Sequence, residues 1–168
     1  MCRPVFGFAV AVLVLACAHL ASADVALKEG DPAPAFKAIG DDGKEYSLDG
    51  LKGHFVVLYF YPKDDTKGCT IEAKGFRDDY AKYQEKGAVV LGVSLDSAES
   101  HKAFRAKYGL NFPLLIGGDT LAKIYGVPTT LGFAHRQTFV IGKDGRLLKI
   151  FRDVDPSGHS AEILALLQ

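Results

Sequence analysis

A chain of 168 residues with 20 Lys+Arg against 20 Asp+Glu and 48% hydrophobic residues has the size of one compact domain. The balanced charge removes the electrostatic case for nucleic-acid binding, which needs a surplus of Lys and Arg gathered on one face. Three cysteines are too few for the disulfide frameworks of small secreted scaffolds, so an ordinary apolar core must hold the fold.

Residues 1–23 carry one positive charge at Arg3, an apolar stretch from Val5 to Ala18, and small residues at Ala21 and Ala23. That is the layout of a secretory signal cleaved before Asp24, and the apolar run is short for a membrane span. Val14-Leu15-Ala16-Cys17 also resembles a lipoprotein box, in which an acylated Cys17 would tie the chain to a membrane. The clean Ala-x-Ala site favours simple cleavage, and either route places the working domain, residues 24–168, outside the cytoplasm, in a bacterial periplasm. Cleavage after Ala23 removes Cys2 and Cys17 and leaves Cys69 as the only thiol. A lone thiol in an oxidising compartment is a liability unless it is used or well buried.

The mature chain begins with a polar surface segment, Lys28 to Pro34, and a hairpin turn, Gly40-Asp41-Asp42-Gly43, leading into Lys-Glu-Tyr-Ser-Leu. Phe55 to Tyr61 is an unbroken apolar run of strand length, the pattern of a strand covered on both faces. A loop from Lys63 to Gly68 opens a helix whose inward face is Ala73, Phe76, Tyr80 and Tyr83, with Cys69 on that face in the first turn and Gly87 as the stop. Ala88 to Leu95 is a second strand, which makes a crossover unit with a parallel pair. Asp96-Ser97 caps a helix through Phe104 and Tyr108 that ends at Gly109. A short strand (Phe112 to Ile116), a short helix (Asp119 to Tyr125) and a turn at Gly126-Val127-Pro128 follow. Gln137 to Ile141, a turn at 142–145 and Arg146 to Arg152 form a late antiparallel hairpin, and Ala161 to Gln168 closes as a helix. Together these elements describe an α/β protein of thioredoxin-like fold, with a mixed central sheet flanked by helices and an N-terminal hairpin.

The thiolate is the reactive form of cysteine, and a helix N-terminus near positive charge favours it. Free amide groups in that turn can also hold a developing anion. A lone cysteine on an inner helix face is, taken alone, more often a small inert hydrophobe.

The flanking residues tip the balance. Pro62, Thr66 and Cys69 stand at the spacing of the peroxiredoxin active-site signature, a proline, a threonine four residues on, and a cysteine three beyond. Arg136 before Gln137-Thr138-Phe139-Val140 matches a family arginine that precedes a Thr-Phe-Val strand. The chain thus resembles the peroxiredoxins, in particular the bacterioferritin-comigratory or Q-type subfamily, from Gly30-Asp31-Pro32 to the last helix. The resemblance implies a thiol-dependent peroxidase, a monomer without metal or other cofactor, that reduces hydrogen peroxide and organic hydroperoxides through a sulfenic acid on Cys69. It also implies the roles of the other site residues: Thr66 offers a hydroxyl to the peroxide, Arg136 favours the thiolate and the leaving oxygen, and Pro62 shields the sulfur. Strand alternation puts Arg136 and Thr138 on one face and His135 on the other, which argues against His135 as a general base.

Two positions depart from the subfamily. Lys67 stands where a proline is common, and Lys74 stands where many members carry a resolving cysteine. With no second thiol in the cleaved chain, the sulfenic acid must be resolved by an external thiol, from a thioredoxin-like or glutaredoxin-like protein or a small molecule. A thiol-disulfide oxidoreductase would need a Cys-x-x-Cys pair, which is absent; a copper site would need a second nearby cysteine; and a Cys-His hydrolase has no supporting motif. The alternative from another class is a non-catalytic envelope protein acting as a binding or chaperone module, whose function would survive Cys69→Ser.

Overall fold

The computed structural model describes residues 26–168. The expected signal, with its cleavage site, Cys2 and Cys17, lies outside the described residues. The N-terminal hairpin is present: β1 (Lys37–Ile39) pairs antiparallel with β2 (Glu45–Ser47). The next elements are β3 (Phe55–Phe60), α1 (Lys67–Asp78), α2 (Tyr80–Glu85), β4 (Ala88–Val93) and α3 (Ala98–Tyr108). They are followed by β5 (Leu114–Leu115), α4 (Gly118–Tyr125), β6 (Thr129–Thr130), β7 (Phe133–Ala134), β8 (Gln137–Ile141), β9 (Leu147–Phe151) and α5 (His159–Leu166). The five-stranded sheet runs β5-β4-β3-β8-β9, with β3, β4 and β5 mutually parallel and β8 antiparallel to both its neighbours.

The apolar run of β3 makes it the central strand, because every one of its six side chains is buried. Alternation divides them between two cores. Phe55, Val57 and Tyr59 join Cys69, Ala73 and Phe76 of α1, Tyr83 of α2, Phe104 of α3 and Ile163 of α5. Val56, Leu58 and Phe60 face the other way, onto Leu121, Ala122 and Tyr125 of α4. Phe76 anchors α1 to the sheet, with ring centroids 4.7 Å from Tyr59, 5.9 Å from Tyr83 and 6.3 Å from Phe112. Burial of such a ring stabilises by roughly 1.5–3 kcal/mol, which fixes the helix that carries the thiol.

The α3 boundaries fall where the caps place them. Ser97 Oγ accepts the Ser100 amide at 3.3 Å, and Gly109 takes the left-handed conformation at φ 62 that ends the helix. Ser97→Ala is expected to cost about 1 kcal/mol in urea unfolding, with the slope unchanged.

Three features differ from the sequence expectation. The helix expected to run to Gly87 breaks at Asp79, whose backbone sits at φ −91, ψ 1. There Asp79 Oδ2 accepts from Ser160 Oγ at 2.9 Å and Oδ1 from Lys82 Nζ at 2.7 Å, which ties the junction of α1 and α2 to α5. A small hairpin, β6–β7, follows Pro128. Its turn places Leu131 and Gly132 at φ 51 and 80, a geometry normally signalled by Asn-Gly, so Leu131 hides it from a sequence reading. Finally, α5 starts at His159 rather than Ala161, because His159 Nε2 meets Thr138 Oγ1 at 2.8 Å and draws the first turn onto the sheet.

Candidate active site

Thr66 occupies the N-cap position of α1 in an extended conformation. Its hydroxyl does not cap the helix but donates to the Lys63 carbonyl at 3.0 Å, which closes the β3–α1 loop on itself. The first helical bond runs from the Thr70 amide to the Thr66 carbonyl at 2.8 Å, so the amides of Lys67, Gly68 and Cys69 precede the hydrogen-bonded ladder. Cys69 lies in this first turn on the buried face, 1% exposed, and is the free cysteine among the described residues.

Arg136 comes from the residue before β8 and reaches over the start of α1. Its Nη2 donates to Cys69 Sγ at 3.2 Å. Its Nη1 donates to Glu72 Oε2, one helical turn beyond the thiol. The guanidinium fork therefore spans a sulfur and a carboxylate that helix periodicity has put on one face. Gly68 leaves the room for this, since a Cβ there would stand 3.3 Å from Arg136 Nη2.

Glu72 is the residue that sequence reasoning missed. It is 1% exposed, and its Oε1 is buried without a hydrogen-bond partner. Burial pushes its carboxyl up to about 7, and the charge and hydrogen bond of Arg136 pull it back only in part. For Arg136, burial works against the charge, but Glu72 and Cys69 outweigh it and hold the guanidinium firmly cationic. The available signal was positional: Glu72 stands inside the stripe Cys69, Ala73, Phe76, where a carboxylate needs a partner.

Pro62 and Arg136 line one open cleft of ≈ 430 Å³ with Thr130, Phe133 and Val154, while Cys69 and Thr66 are not on its wall. The expected residues are thus brought together unequally: Arg136 touches Cys69, Pro62 shares a wall with Arg136, and the Thr66 hydroxyl engages its own loop. His135 is exposed and sits against Thr130 Oγ1 at 2.8 Å across the β6–β7 hairpin. Lys67 and Lys74 are both exposed on α1. Among the described residues no three His, Cys, Asp or Glu side chains converge to hold a metal ion.

The five-stranded mixed sheet in this order, flanked by helices, is that of the thioredoxin-like fold. The AhpC/TSA family model matches residues 29–150. A putative peroxiredoxin bcp from Coxiella burnetii is 42% identical over 151 residues, covering 85% of this chain and all of that protein. The chloroplastic peroxiredoxin Q of Suaeda salsa is 42% identical over 89% of this chain and 72% of its own length. Among solved structures, peroxidoxin BcpB from Mycobacterium tuberculosis superposes with a TM-score of 0.77 at 32% identity, covering 84% of this chain and 96% of that one. The bacterioferritin comigratory protein of Xanthomonas campestris, whose structure concerns alkyl peroxide reduction, gives 0.76 at 34% identity over 85% and 97%. The chain belongs to the AhpC/TSA family, as a peroxiredoxin of the Q or bacterioferritin-comigratory type. It is a thiol-dependent peroxidase.

Proposed function

We propose that Cys69 is the peroxidatic thiol and that this chain works as a one-cysteine peroxidase with an external reductant. The contact of Arg136 with both Cys69 Sγ and Glu72 carries the reading. The Cys69 thiolate attacks the outer oxygen of a hydroperoxide, so that an S–O bond forms as the O–O bond breaks. The departing alkoxide or hydroxide takes up a proton, and the sulfur is left as a sulfenic acid. Charge moves from sulfur to the leaving oxygen during this step, and a fixed cation beside both positions stabilises it throughout. Arg136 supplies that cation, and the amides of the first turn of α1 supply donors. Thr66 serves the peroxide once its hydroxyl leaves the Lys63 carbonyl, and Pro62 walls the approach without adding a donor.

The sulfenic acid then condenses with an external thiol, releasing water and forming a mixed disulfide, which a second thiol reduces to restore Cys69. The absence of cysteine at position 74 supports this route. The signal-like first 23 residues support an extracytoplasmic setting, and the protein acts there as a monomer, soluble if cleaved after Ala23 and membrane-tethered if Cys17 is acylated. Alkyl peroxide reduction by the Xanthomonas relative supports organic hydroperoxides beside hydrogen peroxide as substrates.

Stopped-flow mixing of the reduced protein with hydrogen peroxide and with an organic hydroperoxide, followed by mass spectrometry of Cys69, tests the assignment. Cys69 should gain one oxygen far faster than free cysteine does. A rate no greater than that of free cysteine would remove Cys69 from the role.

A further inference from the structure

The loop between β3 and α1 carries both Pro62 and Thr66, yet its firmest attachments are to a helix with no part in the chemistry. Asp64, 6% exposed, gathers three donors on its carboxylate. Tyr61 OH reaches Oδ1 at 2.7 Å, and Ser100 Oγ and His101 Nδ1 reach Oδ2 at 2.7 and 2.9 Å. Its own amide donates to Asp96 Oδ2 at 2.9 Å, an oxygen that Ser94 Oγ holds at 2.7 Å. Burial alone would raise the Asp64 carboxyl, but the bonds from His101, Tyr61 and Ser100 outweigh it and keep the group ionised.

The neighbouring Asp65 adopts φ 58, a left-handed conformation that few residues other than glycine take. That twist turns its carboxylate away from that of Asp64, onto Lys107 Nζ at 2.6 Å and Tyr108 OH at 2.5 Å. Two consecutive aspartates therefore grip α3 at opposite ends, one at Ser100 and His101 in its first turn, the other at Lys107 and Tyr108 in its last. The inner grip is buried and charge-assisted. The outer one is exposed, where such pairs contribute little.

We propose that Asp64 is a positioning residue for the peroxide reaction, using α3 as a splint that holds the Pro62–Thr66 loop, and with it the first turn of α1, closed around Cys69. The inference rests on Cys69 being the reacting thiol. When the inner grip is loosened, the loop samples open forms. Cys69 then loses the aligned donors that peroxide attack requires, while becoming more accessible to reagents that need no alignment.

The test compares two rates on the same thiol: oxidation by hydrogen peroxide in stopped flow, and alkylation by iodoacetamide. In Asp64→Asn, oxidation should fall on the order of 10-fold or more while alkylation is unchanged or faster. Ser100→Ala, which removes one donor and spares the aspartate, should shift both rates the same way by a smaller factor, and Ser100→Thr, which keeps a hydroxyl, should restore them. Lys107→Ala, on the outer grip, should stay within about 2-fold of wild type. If Asp64→Asn does not fold, the serine pair decides. Wild-type oxidation in folded Asp64→Asn or in Ser100→Ala overturns the proposal. So does a parallel loss of both rates that tracks thermal stability, because that is the mark of a purely structural group. A wild-type protein that outruns free cysteine in no peroxide overturns instead the assignment of Cys69.

Discussion

Replacement of Arg136 by alanine is expected to slow oxidation of Cys69 by hydrogen peroxide on the order of 10²- to 10³-fold, the usual cost of removing one donor that stabilises charge in the transition state. The sulfur loses the Nη2 bond and the only cation that the described residues place against it. The change reaches further, because Glu72 then lies buried with neither oxygen paired. An uncompensated buried carboxylate can cost about 3–5 kcal/mol, and protonation is its means of escape. The double variant Arg136→Ala, Glu72→Gln separates the two effects: it should recover stability relative to the single variant but not the oxidation rate. Arg136→Lys should rescue only in part, since one ammonium cannot span Sγ and Oε2 as the planar fork does. Oxidation of a folded Arg136→Ala protein at the wild-type rate would take Arg136 out of the chemistry.

The second large effect concerns pH. Glu72 has its carboxyl raised by burial to about 7 in the folded chain, against 4.5 for a free glutamate. Between these values the native state holds a proton that the unfolded state has released, so stability from this group is fully present below about 4.5 and drains away as pH rises toward 7. Glu72→Gln removes that loss. The stability of the variant relative to wild type should therefore climb by on the order of 2–3 kcal/mol between about pH 5 and pH 8, measured by urea unfolding at each pH. His159, whose imidazole is held below its usual range by burial, contributes the opposite slope in both proteins and cancels in the difference. Parallel pH curves for the two proteins would show that Glu72 does not titrate in this window.

Much of this was legible in the residues themselves. The continuous apolar run at Phe55 announces a central strand because both its faces must be covered. Ser97 and Gly109 announce the ends of α3 through capping chemistry that acts over a few residues. Cys69 could be placed in the first turn of a helix by counting, and Arg136 could be reached through the family resemblance. The features that escaped depend on partners distant in sequence. The junction at Asp79 is held by Ser160, the first turn of α5 by Thr138, and Asp64 by Ser100 and His101. Leu131 conceals its turn because it takes a conformation that its side chain does not advertise. Glu72 was missed for another reason, since a buried carboxylate is plausible only once a cation 64 positions away is known to meet it.

Lys74 has a consequence for how hard α1 can be packed. Five residues of helix turn a side chain through about 140°, so a thiol at position 74 would point into solvent while Cys69 points into the core. A disulfide needs its two Cβ atoms within about 4.5 Å, and two sites so placed could meet only if the helix melted in every catalytic cycle. On the proposed one-cysteine route, a chain with lysine there is released from that demand. By that route α1 keeps Ala73 and Phe76 sealed against the sheet through the cycle, and turnover asks only that the mouth of the site open to a visiting thiol.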